Sequence, residues 1–154
     1  MPSKQTGNGY FAAWITVFGC AMSMGMDHSA FKSTVRGLGS VMGHLAASVV
    51  FLVSCIPKVD SLAAGSKWRN NAIYGLSLAC FSTLFMLAII SMDKKGKPLS
   101  QMINLVLMVC LSLLWLVAAC LVTFDGPFTE TSNGYFSAWA GMITAMYAAS
   151  AARK

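Results

Sequence analysis

Five runs of 18 to 23 residues in this chain contain no Asp, Glu, Lys or Arg, and they leave few folds open. They cover residues 9–26, 37–57, 72–92, 102–124 and 134–152, and turn-forming or charged residues bound each one. At 1.5 Å per residue such runs make helices roughly 27–35 Å long, against a hydrocarbon layer about 30 Å thick. Spanning backbone must satisfy its own polar groups, which only helices and closed barrels do. The runs lack the alternation of barrel strands. The expected fold is therefore all-α, an integral membrane bundle of about five transmembrane helices in a single multi-pass domain, residues 1–154. The alternative is four spanning helices plus one re-entrant or interfacial segment. The first run is read as a mature helix rather than a signal peptide, since no A-x-A-like cleavage site follows it.

Composition agrees. Only 10% of the 154 residues are charged and 56% are hydrophobic, where a soluble domain carries about 25% charge. Disorder needs the reverse balance. The net charge of +6 would suggest nucleic acid in a soluble chain. Here the bases form short clusters between apolar runs, with no aromatic-interleaved stripe, so the expected partners are the bilayer and anionic lipid headgroups, not nucleic acid. Bound lipid is a further candidate.

Counting Lys and Arg in the connections gives four on the side of the N-terminus and seven on the other. That bias favours an external N-terminus and a cytoplasmic C-terminus. Five cysteines, Cys20, Cys55, Cys80, Cys110 and Cys120, all lie within apolar runs without zinc-like spacing, and are read as packing residues with free thiols.

The most informative motif is a repeat. Residues 6–14, TGNGYFAAW, return as TSNGYFSAW at residues 131–139, with seven of nine positions identical. Thr, Ser, Asn and Gly suit a helix entry, and Tyr and Trp suit the membrane–water interface. Each copy is expected to start a helix at that interface, and with five spans both copies start from one leaflet. Tyr10, Phe11 and Trp14, with Tyr135, Phe136 and Trp139, are the candidate contact residues for a homo-oligomer or array.

Small residues mark the expected helix crossings. Ser137, Gly141, Ala145 and Ala149 recur every fourth residue, Gly39 and Gly43 lead to Ala47, and Gly75 leads to Ala79 and Thr83. Such spacing lets membrane helices approach closely. The run 102–124, rich in Leu and Val and carrying Trp115, reads instead as a bulky face for lipid or a partner.

Chemistry is sparse. His44 and Asn104 are the notable polar groups inside the runs, and His44 is read as an interhelical hydrogen-bond donor. All five acidic residues fall in connections, so no catalytic carboxylate pair, nucleophile–base set or proton relay can be assembled. An enzyme is not expected, nor is a cofactor.

One cluster suggests a soft metal. Met22, Met24, Met26 and His28 bring thioethers and an imidazole together, and Met142 and Met146 lie four apart. These groups suit Cu(I), and the M-x-M and M-x-x-x-M patterns resemble those of high-affinity copper transporters. That resemblance implies copper as ligand and Met22, Met24, Met26 and His28 as its site.

The leading expectation is a non-enzymatic protein that self-associates and organises or shapes a membrane. The alternatives are a channel or transporter subunit for a small solute or copper, and an accessory subunit of a larger membrane complex.

Overall fold

The computed structural model describes residues 38–153, which form four α-helices: α1 (Leu38–Ser61), α2 (Lys67–Lys94), α3 (Gln101–Phe124) and α4 (Asn133–Ala152). The run 9–26, the first copy of the repeat and the Met22–His28 cluster lie outside the described residues. Three helices are long and apolar enough to cross a membrane: α1 from Gly39, α2 and α3. The fourth, 20 residues long, reaches about 30 Å, but its Ala, Gly and Ser content makes it less apolar. A membrane-spanning helical protein is thus supported, with four helices among the described residues rather than a demonstrated five.

Helix ends follow local chemistry more closely than hydropathy does. α2 begins five residues before the expected run, because Ser66 caps it by accepting a hydrogen bond from the Arg69 amide at 3.3 Å. The polar turn Lys67-Trp68-Arg69-Asn70 is helical although it is not apolar. α1 continues one turn past Pro57, which lies inside the helix. Ser132 caps α4 by accepting from the Tyr135 amide, also at 3.3 Å.

The helices form a ring in which each touches its chain neighbours and α1 closes against α4; α2 and α3 touch least. Their buried positions recur at spacings of three and four: His44, Ala47, Phe51 and Cys55 on α1; Ala72, Gly75, Ala79, Ser82 and Met86 on α2; Met108, Leu111, Trp115, Ala118 and Val122 on α3; Gly134, Ala138, Gly141, Ala145 and Ala148 on α4. This is the knobs-into-holes periodicity of antiparallel bundles. Outward faces are apolar, with Val53, Leu84, Leu113 and Met146 all more than 45% exposed. In a membrane protein such positions meet lipid tails, which are as apolar as leucine.

The cysteines divide between these two environments. Cys55 is buried at the α1–α2 seam, whereas Cys80 and Cys110 point outward, so the packing reading fails for those two. All four described thiols are free.

Candidate functional site

The centre of the bundle is built around one side chain, Trp115. It is fully buried on α3 and reaches all three other helices. Its indole Nε1 donates to Ser82 Oγ on α2 at 2.8 Å. On α1, its ring meets His44 edge-on at 5.2 Å and Phe51 at 5.3 Å between centroids. On α4 it lies against Gly141, where a Cβ would overlap the six-membered ring. The expectation that Trp115 faces lipid or a partner is therefore corrected. A tryptophan in mid-run is far from both interfaces, and its N–H finds its partner inside the protein.

His44 ties α1 to α4. Its Nδ1–H points at Gly141 O (3.0 Å) and Thr144 Oγ1 (3.1 Å). Thr144 Oγ1 itself donates back along its helix to Ala140 O at 2.7 Å, so it receives from the imidazole. Carbonyl oxygens only accept, which places the ring proton on Nδ1. Nε2 is buried without a hydrogen-bond partner among the described residues. The expected interhelical donor role of His44 is what this geometry provides.

Several of the small-residue positions singled out from the sequence are buried inside the bundle. Gly43 faces Thr144, with the methyl 3.5 Å from where a Cβ would stand. Ser137, Gly141 and Ala145 are buried within the chain, and Ser137 Oγ donates back to Asn133 O. Gly39 is half-buried in the first turn of α1. Of the repeat's aromatic residues, Tyr135 and Phe136 are half-buried and pack edge-to-face at 5.5 Å, while Trp139 meets Phe124 at 6.0 Å. Tyr10, Phe11, Trp14, Met22, Met24, Met26 and His28 lie outside the described residues. Met142 packs against the core, but Met146, one turn on, is 57% exposed, so the pair does not line a common interior path.

One end of the bundle is sealed by the connection 125–132. Phe128 folds inward, 3% exposed, against Phe51 at 5.9 Å. Its ring occupies the space that a Cβ on Gly134 would need. Lys67 Nζ bonds Asp125 Oδ2 at 2.8 Å, and Asn71 Nδ2 donates to Gly126 O at 3.2 Å. Trp68 packs flat on Gly126, whose φ of +90° and whose missing Cβ, 2.8 Å from the indole nitrogen, both demand glycine. The Lys67 hydrogen bond holds the Asp125 carboxyl below its ordinary pKa. Lys58 stands over the Phe128 ring at 5.9 Å, and Arg69 Nε donates to Val59 O at 3.0 Å. Every Lys and Arg described at this end is engaged with its own chain.

Among the described residues, the opposite end carries no such seal. A cavity of about 370 Å³ lies where α1 and α3 begin and α2 and α4 finish, walled by Val41, Met92, Leu99, Met108 and Ala151 among others. Asn104 lines it, and the Asn104 Oδ1 atom is buried without a hydrogen-bond partner among the described residues. Sequence reasoning noted Asn104 but not the cavity, which four separate helix ends create. Among the described residues, no group of three or more His, Cys, Asp and Glu side chains could hold a metal ion.

No protein-family model matches the chain, and no curated protein or solved structure is significantly similar to it.

Proposed function

We propose that this chain is a non-enzymatic, multi-pass membrane protein that self-associates and thereby organises or shapes the bilayer. The observation that carries the reading is the filled centre. Trp115 occupies the axis of the bundle and bonds or packs to every other described helix, while apolar surface faces outward on all four. A protein built this way makes its further contacts laterally, in the plane of the membrane. The same occupied axis weighs against a solute path through the described helices, and so against the copper-conduit alternative.

Lateral contact is assigned to the repeated aromatic helix starts, Tyr135 and Phe136 with Tyr10 and Phe11, and to the outer faces of α2 and α3. Trp14 and Trp139 complete the two starts. Orientation follows the Lys and Arg bias, with the repeat-bearing end external. Gly141 and Gly43 serve the fold rather than assembly, because their close contacts lie within the chain.

The test is the mass of the full chain in mild detergent and in native membrane extracts. A defined homo-oligomer, shifted toward monomer in a Phe11→Ala/Phe136→Ala variant of unchanged helicity, is expected. A monomer at all protein-to-lipid ratios would overturn the proposal, and stoichiometric co-purification of different chains would replace it with the accessory-subunit role.

A further inference from the structure

The two ends of the bundle treat their basic residues differently. Where α2 and α4 begin, Lys58, Lys67 and Arg69 are spent on Phe128, Asp125 and Val59. At the other end Lys94, Lys95, Lys97 and Arg153 are exposed, and no described side-chain partner engages them. Lys94 ends α2, Lys95 and Lys97 sit on the connection that contributes Pro98 and Leu99 to the wall of the cavity, and Arg153 directly follows the wall residue Ala152. Among the described residues Asp93, also at the wall, is the one acidic residue there, so the four described bases outweigh it at the mouth.

We propose that this cavity is a binding site for an anionic phospholipid with a hydroxylated headgroup, of the phosphatidylglycerol kind. The inference rests on the membrane-embedded reading of the chain but not on its self-association. The cavity has the volume of small-molecule sites, about 300–1,000 Å³, and lies at the level where span ends meet headgroups. Val41, Ile89, Met92, Leu99 and Met108 offer apolar wall to the glycerol backbone and the upper acyl chain. The lysine-rich rim meets the phosphate. Asn104 Oδ1 can only accept a hydrogen bond; a headgroup hydroxyl supplies the missing donor, which a choline headgroup lacks.

Native mass spectrometry of the full-length protein, titrated with phosphatidylglycerol and with phosphatidylcholine of identical acyl chains, tests the site. One phosphatidylglycerol per chain is expected, held at least about tenfold more tightly than phosphatidylcholine, since each lysine near a headgroup contributes about fivefold. Ala151→Phe, which fills the cavity, should abolish that stoichiometric lipid. Lys94→Gln/Lys95→Gln/Lys97→Gln, confined to exposed positions that keep the fold, should erase the preference. Asn104→Leu should weaken phosphatidylglycerol with the lysines intact. Equal retention of the two lipids, or full phosphatidylglycerol binding by the triple lysine variant, would overturn the assignment. So would displacement of the lipid by soluble glycerol phosphate at matching concentration, which would identify a site for free phosphate esters instead. Lipid is counted on each oligomeric species separately, so failure of self-association and failure of this site are read independently.

Discussion

The Trp115 indole rests directly on the Gly141 backbone, in a space that even a methyl group on residue 141 would invade. Closely packed interiors resist added atoms, and overpacking typically costs about 1–3 kcal/mol. Gly141→Ala is therefore expected to destabilise the bundle by that order, and Gly141→Leu to prevent native packing. Trp115→Phe removes the outer ring and should recover part of the Gly141→Ala loss in a double-mutant cycle. Unfolding in mixed micelles measures all three; a Gly141→Ala protein with the stability of its parent would refute the contact.

Ser82 gives the second arm of the same hub. Hydrogen bonds between membrane helices contribute about 0.6 kcal/mol on average and about 1.7 at most. Ser82→Ala leaves the buried indole N–H without its 2.8 Å acceptor, so its cost should fall toward the top of that range. In a Trp115→Phe background, where no N–H remains, the same change should be close to neutral. Equal costs in the two backgrounds would show that the bond contributes nothing.

The proton on His44 is fixed by what surrounds it. Gly141 O and Thr144 Oγ1 both receive from Nδ1, and no described residue donates to Nε2. Nitrogen-15 NMR of the imidazole is expected to show the proton on Nδ1. A ring protonated on Nε2 would require a different α1–α4 seam.

How much of this was open to the sequence depends on range. The charge-free runs located α1 to α4, because excluding ionised groups is a property of each segment by itself. Ser132 and Ser66 as caps are equally local, set by a hydroxyl three residues before an amide. Trp115 is different: whether it faces lipid or core depends on the hole at Gly141 and the acceptor at Ser82, neither of which is near it in the chain. The four-residue stripe on α4 gave the right face but not its partner. The buried sets in fact recur at spacings of three and four on all four helices, which would have drawn Trp115 onto the same face as Met108, Leu111 and Val122. Phe128 was hidden because a connection carries no periodicity to show which side chain turns inward.

Two glycines separate backbone strain from crowding. Gly65 and Gly126 both have positive φ, +78° and +90°, but nothing stands near the missing Cβ of Gly65. Alanine in the left-handed region costs roughly 1–2 kcal/mol. Gly65→Ala should pay only that, whereas Gly126→Ala must also displace Trp68. The expected order is a clearly larger loss for Gly126→Ala, reduced when Trp68 is replaced by Ala. Identical losses at the two positions, measured by thermal unfolding, would mean that Trp68 does not press on the loop.

The Lys67–Asp125 pair sets an acid limit on the sealed end. Its 2.8 Å bond lowers the Asp125 pKa from the ordinary 3.8. A carboxylate depressed in the folded state contributes stability that is present above its unfolded pKa and is lost as pH falls through the folded one. Stability at this end is therefore expected to be flat from neutral pH down to about 5 and to decline below about pH 4, near the unfolded carboxyl value. Both partners are partly exposed, so the effect is small and should shrink in high salt. Hydrogen exchange of the Asn71 and Gly126 amides reads the loop directly: Asp125→Asn should remove most of the acid-induced loosening between pH 5 and pH 3. Unchanged acid sensitivity in that variant would show that the Lys67–Asp125 pair does not set the limit.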